Sequence, residues 1–237
     1  MKPLIISFAS KGREDYLKMS ENLYRSVKEH WKYDYLFYTI GGNQTFGEVV
    51  INNVTELPQP STWHCDSHNV TPYQFKYGLI DYARERGYDK IIWLDSSITL
   101  AKCPLHLLEQ SNKGVMCFHN LGHETKDYIS NECKAIMNCS DLDLLAPQTW
   151  GGCIGFDFTR NGVLEVFKKI IDFSKWGAFD NSETHPKHRH DQAVMSVLFH
   201  RYGILPYNYG HIICNNPHGK EPFEYGQYYT FIYGKNT

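Results

Sequence analysis

The sequence predicts an α/β fold with a mostly parallel central sheet flanked by helices. Apolar runs of strand length alternate with stretches whose apolar residues recur at helical spacing. One run, Ile91-Ile92-Trp93-Leu94, is apolar at every position, as expected of a central strand covered on both faces. At 237 residues the chain can bury a sizeable core within a single domain spanning 1–237.

The elements follow in order. Leu4, Ile5, Ile6 and Phe8 form a first strand, Ala9-Ser10-Lys11-Gly12 a turn, and Leu17, Leu23 and Val27 the apolar stripe of a helix opening near Asp15. Tyr35 to Thr39 reads as a second strand and Val49 to Ile51 as a short third, with Gly41-Gly42-Asn43 turning between them. Leu57 to Asn69, with Pro58 and Pro60, is a loop that leads to a helix from Pro72 to about Arg86, closed by Gly87. Beyond the strand ending at Leu94, Pro104 suits the first turn of a short helix carrying Leu105, Leu107 and Leu108, and Val115 to Phe118 is another buried strand. His119 to Leu145 reads as an excursion over the sheet edge, polar first and then helical. Trp150 to Phe158 returns as a strand, Gly162 to Phe173 and Asp191 to Tyr202 are helices, and the segment beyond Pro206 is a long tail packed over the site.

A net charge of -2 and a pI near 6.6 provide no broad basic field, so nucleic acid is not an expected partner. Aromatic residues make up 15% of the chain, and the tyrosine-dense segments 202–209 and 225–233 offer faces able to stack on sugars or bases. Seven cysteines without a C-x-x-C pair argue against a disulfide framework and against a zinc site, and favour a reducing compartment, the cytoplasm. No apolar signal core opens the sequence, and no run is long enough to be a transmembrane segment. The N-x-[ST] patterns at Asn43, Asn53, Asn69 and Asn138 are then chance matches. The oligomeric state is not legible.

Polar stations punctuate this frame: Asp95-Ser96-Ser97 at a strand end, Gly151-Gly152, His190-Asp191-Gln192, and His218-Gly219-Lys220 in the tail. Ligands of open α/β sheets sit beyond the carboxyl ends of strands, which is where Asp95 falls. In this order the stations resemble the nucleotide-sugar glycosyltransferases of the GT-A fold, with their Asp-x-Asp strand end, glycine loop, acidic residue opening a late helix and C-terminal histidine. Ser97 stands where the second Asp of that motif is expected. The resemblance implies a GT-A-like domain, with a Rossmann-like nucleotide-binding half over about 1–100 and an acceptor and catalytic half over about 101–237. It implies transfer of a sugar from a nucleoside diphosphate donor, UDP-linked first, to a hydroxyl of a saccharide or glycan.

What the resemblance implies for single residues is as follows. Ser7, Phe8, Ala9 and Arg13 after the first strand, Lys76, Asp95, Ser96, Ser97, Gly151, Gly152 and Lys220 hold the donor. Trp150, His190 and Gln192 face the acceptor, and Asp191 is the catalytic carboxylate, either deprotonating the acceptor hydroxyl or positioning it. A divalent cation, Mn2+ or Mg2+, would be held by Asp95, Ser97 and His218, with His211 as an alternative histidine. Ser97, neutral where an Asp is expected, weakens that site.

Blander readings accompany each of these. Asp95 and Asp191 can be caps, Lys76 a solvated helix face, and the glycines a tight turn. His185, His188 and His190 with Asp191 can be read as a transition-metal cluster. A nucleotidyltransferase on a similar fold would want a richer phosphate loop than Ala9 to Arg13, while a nucleotide-sugar-binding protein lacking turnover fits the Ser97 change. If Asp191 is only a cap, the next carboxylates are Glu124, Asp127 and Glu132 on the excursion.

Overall fold

Side chains of β1 (Pro3–Ser10) leave alternately on opposite faces, and both faces are covered. Leu4, Ile6 and Phe8 enter one core cluster and Ile5 the other. The same alternation divides β6 (Lys90–Leu94), whose Ile91 and Trp93 join the first cluster and Ile92 and Leu94 the second. This is why that run carries no polar residue between Ile91 and Leu94. The computed structural model describes residues 1–10, 14–40, 45–46, 49–50, 52–53, 73–208, 212–215 and 230–233.

Around β1 and β6 the chain lays α1 (Glu14–His30), β2 (Asp34–Ile40), a small hairpin of β3 (Thr45–Phe46) and β4 (Val49–Val50), β5 (Asn52–Asn53) and α2 (Gln74–Glu85). After β6 come β7 (Ile98–Leu100), α3 (Leu105–Gln110), β8 (Val115–Met116) and β9 (His119–Glu124). Then follow α4 (Asn131–Met137), α5 (Asp141–Leu144), β10 (Pro147–Thr149) and β11 (Cys153–Asp157). The last elements are α6 (Val163–Lys175), α7 (His190–Arg201), β12 (Ile213–Asn215) and β13 (Phe231–Tyr233).

The main sheet has the order β5-β2-β1-β6-β11-β8. The β5–β2, β2–β1 and β1–β6 pairs are parallel. The β6–β11 and β11–β8 pairs are antiparallel, a reversal that the alternation of strands and helices does not announce. It matters for the site, because the register Cys153↔Leu94 sets the turn before β11 beside the residue after β6. One face of the sheet carries α2, α6 and α7; the other carries α1 and α3. Residues from Ala193 to Phe199 of α7 are all buried, so this helix lacks the polar face of a surface helix.

Three local expectations change. The returning strand is shorter than Trp150 to Phe158, because Trp150, Gly151 and Gly152 form the turn that leads into it. The excursion, read as polar first and then helical, opens as a strand, β9, which pairs antiparallel with β10. It is tied back at α5, where Arg201 grips both carboxylate oxygens of Asp143 at 3.0 and 2.8 Å. That pairing holds the Asp143 carboxyl far below its usual range. The described part of the tail makes a sheet in the order β12-β13-β7, so it is fastened next to the Asp95 turn. Among the described residues no helix is long and apolar enough to cross a membrane.

Candidate active site

β6 stops at Leu94, and Asp95 to Ile98 is a turn into β7, closed by the Ile98 N–H donating to the Asp95 carbonyl at 3.0 Å. The side chain of Asp95 is fixed by Trp93, whose indole Nε1–H donates to Oδ1 at 2.7 Å. Its backbone N–H donates to the Gly152 carbonyl at 2.8 Å. Burial pushes the Asp95 carboxyl up from the usual carboxylate range; Lys76 and the Trp93 N–H offset part of that, and the nearby Asp191 charge adds to it.

Lys76 comes from the first turn of α2 and Asp191 from the first turn of α7. The Lys76 ammonium donates to Asp191 Oδ2 and to the Gly151 carbonyl, each at 2.8 Å. Both side chains are 1% exposed. Tyr77 also donates to Asp191 Oδ2, at 3.2 Å, and burial beside that carboxylate pushes the Tyr77 phenol well up. Lys76 lies 5.3 and 5.5 Å from the ring centres of Tyr73 and Trp93, within cation–π range. Lys76 is therefore no solvated helix residue. A hydrogen-bonded chain runs from Asp191 through Lys76 to Gly151, and from Gly152 to Asp95.

The glycines are required by this closure. A Cβ on Gly151 would stand 2.9 Å from Gln192 Cγ and 3.4 Å from Asp191 Oδ2. A Cβ on Gly152 would stand 2.5 Å from the Trp150 ring, so the space expected for a donor sugar at that position is filled by indole. Trp150 is itself 8% exposed and packs edge-on against Phe118.

Other expected residues are placed as follows. Ser7 is fully buried within the sheet, and Phe8 packs on Phe75 with ring centres 4.4 Å apart, so β1 presents neither side chain openly to a ligand. Ala9 continues the β1–β2 ladder opposite Thr39. Ser96 is buried and Ser97 partly exposed in the turn after Asp95. His190 donates its Nδ1 hydrogen to the Phe179 carbonyl at 2.8 Å, and Gln192 lies 3.4 Å from Asn120, which also donates to Gln148 at 2.9 Å. Arg13, His211, His218 and Lys220 lie outside the described residues.

The histidines each take a backbone partner, while the His188 and His190 rings stay in edge-to-face contact with centres 5.4 Å apart. His185 pairs with the Asp127 carbonyl and His190 with that of Phe179. His188 accepts from the Ser130 N–H and pairs with the Ala178 carbonyl. Burial and the neighbouring His190 push the His188 imidazole down to about 4. Among the described residues no three His, Cys, Asp or Glu side chains converge on a metal position. The described donors at the Asp95 turn are one carboxylate and a neutral hydroxyl, with an ammonium close by, and they do not complete a divalent-cation site.

Two contributors escaped the sequence. Tyr77 follows Lys76 on α2 and carries no motif signal of its own. Trp93 reads as core, although residues two apart in a strand share a face, and that spacing already places Trp93 and Asp95 together.

No protein-family model matches the chain, and no curated protein matches it in sequence. Solved structures do. A glycosyltransferase involved in glycosylation of the major capsid of PBCV-1 superposes with a TM-score of 0.54 at 12% identity, over 98% of this chain and 93% of that one. Mouse xyloside xylosyltransferase 1, in its apo form, superposes with a TM-score of 0.55 at 9% identity, over 99% of this chain and 98% of that one. The chain thus has the GT-A-like α/β fold of these glycosyltransferases, with Asp95, Lys76, the glycine turn and Asp191 gathered at the end of its central strand.

Proposed function

We propose that this protein transfers a sugar from a nucleoside diphosphate sugar, UDP-linked first, to a hydroxyl of a saccharide or glycan. The observation that carries the reading is the buried chain Asp191–Lys76–Gly151, joined through Gly152 to Asp95 beyond the carboxyl end of β6. In transfer, the bond between the anomeric carbon and the diphosphate oxygen breaks and the acceptor oxygen takes its place. Charge develops on the diphosphate, and its leaving oxygen takes the proton that the acceptor hydroxyl gives up. Asp95, the partly exposed carboxylate, faces the donor and bonds its ribose hydroxyls, with Ser97 beside it. Asp191, enclosed by Lys76 and Tyr77, acts by position: it holds Lys76, whose ammonium in turn holds the Gly151 carbonyl, and so fixes the turn against which the reacting sugar lies.

A second reading, a nucleotide-sugar-binding protein without turnover, is favoured by that same enclosure, since a carboxylate with 1% exposure does not meet an acceptor in this arrangement. One experiment separates the two. UDP and UDP-sugars are titrated by calorimetry against wild type and Asp191→Asn, and donor hydrolysis and transfer are followed on the same preparations, in manganese and in chelator. The transferase reading expects turnover in wild type and a loss of at least about 100-fold in the variant, with UDP affinity held within a few fold. Binding without turnover in wild type selects the second reading. No binding sinks both.

A further inference from the structure

Beside the buried pair lies a cavity of about 390 Å³, within the range of roughly 300–1,000 Å³ common to ligand pockets. Its walls include Tyr73, Tyr128, Lys187, Arg189, His190 and Gln192. Asp95, Gly151 and Gly152 do not line it; it adjoins the site through His190 and Gln192, the chain neighbours of Asp191. We propose that this cavity is the acceptor subsite and that the acceptor is a saccharide carrying an anionic group, carboxylate or phosphate. This rests on the transferase reading above.

Three observations carry it. The first is charge. Lys187 and Arg189 are exposed, and the Arg189 guanidinium lies 5.2 Å over the Tyr128 ring rather than on a carboxylate. Among the described residues no carboxylate forms an ion pair with Lys187 or Arg189; Glu124 pairs with Lys126, Glu132 with Ser182 and Thr184, and Asp191 with Lys76. Two cations at the mouth of one cavity, in a chain whose net charge is -2, form a local site for an anion, and a guanidinium matches carboxylate or phosphate with two parallel hydrogen bonds.

The second is shape chemistry. Tyr73 and Tyr128 give the cavity aromatic walls of the kind that suits the apolar face of a sugar, and the Gln192 amide, whose oxygen accepts from Asn120, keeps its NH2 group as a donor type for hydroxyl groups; the Tyr128 hydroxyl pairs with His123.

The third is backbone strain. Tyr73 and His190 both take left-handed backbone, with φ of 56° and 40°, and their rings meet at a tilt of 40° with centres 5.6 Å apart between the start of α2 and that of α7. Non-glycine residues held in that region concentrate where a fold sacrifices local stability for a site. Here the strained residues line the cavity and directly precede the helical turns that carry Lys76 and Asp191.

The test uses the full chain and the double variant Lys187→Gln/Arg189→Gln, whose side chains are exposed and whose loss leaves the backbone bonds of the loop in place. Methyl glucuronide, glucose 6-phosphate and neutral methyl glucoside are titrated by protein-observed NMR at fixed ionic strength, with UDP as the donor control. Wild type is expected to bind at least one charged sugar about tenfold more tightly than the neutral one, the variant to lose that preference, and UDP affinity to stay within about twofold. The tighter of the two charged sugars identifies the anion. Equal binding of charged and neutral sugars, or a preference that survives in the variant, overturns the proposal while the transferase reading stands. So does a loss of UDP affinity in the variant, which would assign the cations to the diphosphate. Wild type that fails to bind UDP removes the transferase reading and this subsite with it.

Discussion

Lys76 and Asp191, 115 residues apart in sequence, form an ion pair of 2.8 Å with both side chains 1% exposed. The pair is internally balanced, and the remaining contacts of each partner, Gly151 carbonyl for the ammonium and Tyr77 hydroxyl for the carboxylate, satisfy further hydrogen-bonding capacity. It is the joint between α2 and α7, and it also fixes the turn that meets Asp95.

Removing either partner leaves the other charge buried. Lys76→Met or Asp191→Leu alone should cost about 3–5 kcal/mol of unfolding free energy, and the double variant much less than the sum of the two. Urea unfolding of the four proteins of this cycle measures the coupling. Strictly additive losses would mean that the pair contributes nothing as a pair.

Asp95 should trade stability for binding. Because its carboxyl is raised in the fold, its ionised form is disfavoured there, a penalty that is present above its folded value and fades as pH falls toward the ordinary carboxylate range. Asp95→Asn keeps an acceptor for the Trp93 N–H and removes the charge. The urea midpoint of the unliganded protein at neutral pH should rise, while UDP affinity should fall by about 10–100-fold, the scale of a lost charge-assisted bond. A lower midpoint with unchanged affinity would make Asp95 a turn cap.

His188 makes the fold sensitive to acid. Its imidazole is buried neutral and lowered to about 4, so the unfolded chain binds its proton first as pH falls. Stability is complete above the unfolded value near 6.5 and is lost as pH descends toward about 4, by roughly 2–3 kcal/mol. His188→Phe should be less stable at neutral pH, yet show a shallower loss between about pH 7 and pH 4.5 in urea titrations. Equal slopes would locate the acid sensitivity elsewhere.

Gly152 should tolerate no side chain while Trp150 keeps its place. Gly152→Ala sets a Cβ 2.5 Å from the indole, and overpacking of this kind costs about 1–3 kcal/mol. Adding Trp150→Leu to it should recover part of the loss in melting temperature. No recovery would show that the backbone, not the ring, resists the change.

Much of the frame was present in the sequence. The all-apolar run Ile91 to Leu94 determined a strand covered on both faces, and the helical spacing of Leu23 and Val27 determined a helix against it, because burial of a face imposes its period on the residues. The stations Asp95, Gly151-Gly152 and Asp191 were likewise visible as residues of unusual type at element ends. Their connections were not. Periodicity reports which face of an element is apolar, but it carries no information about which element lies opposite. Whether Lys76 is a solvated cation or the buried partner of Asp191 depends on α2 and α7 lying on one side of the sheet, and whether Gly152 meets Asp95 depends on β11 running antiparallel to β6. Those choices are settled by long-range packing, where the cost of burying a charge is offset only when its counterion arrives from a distant part of the chain.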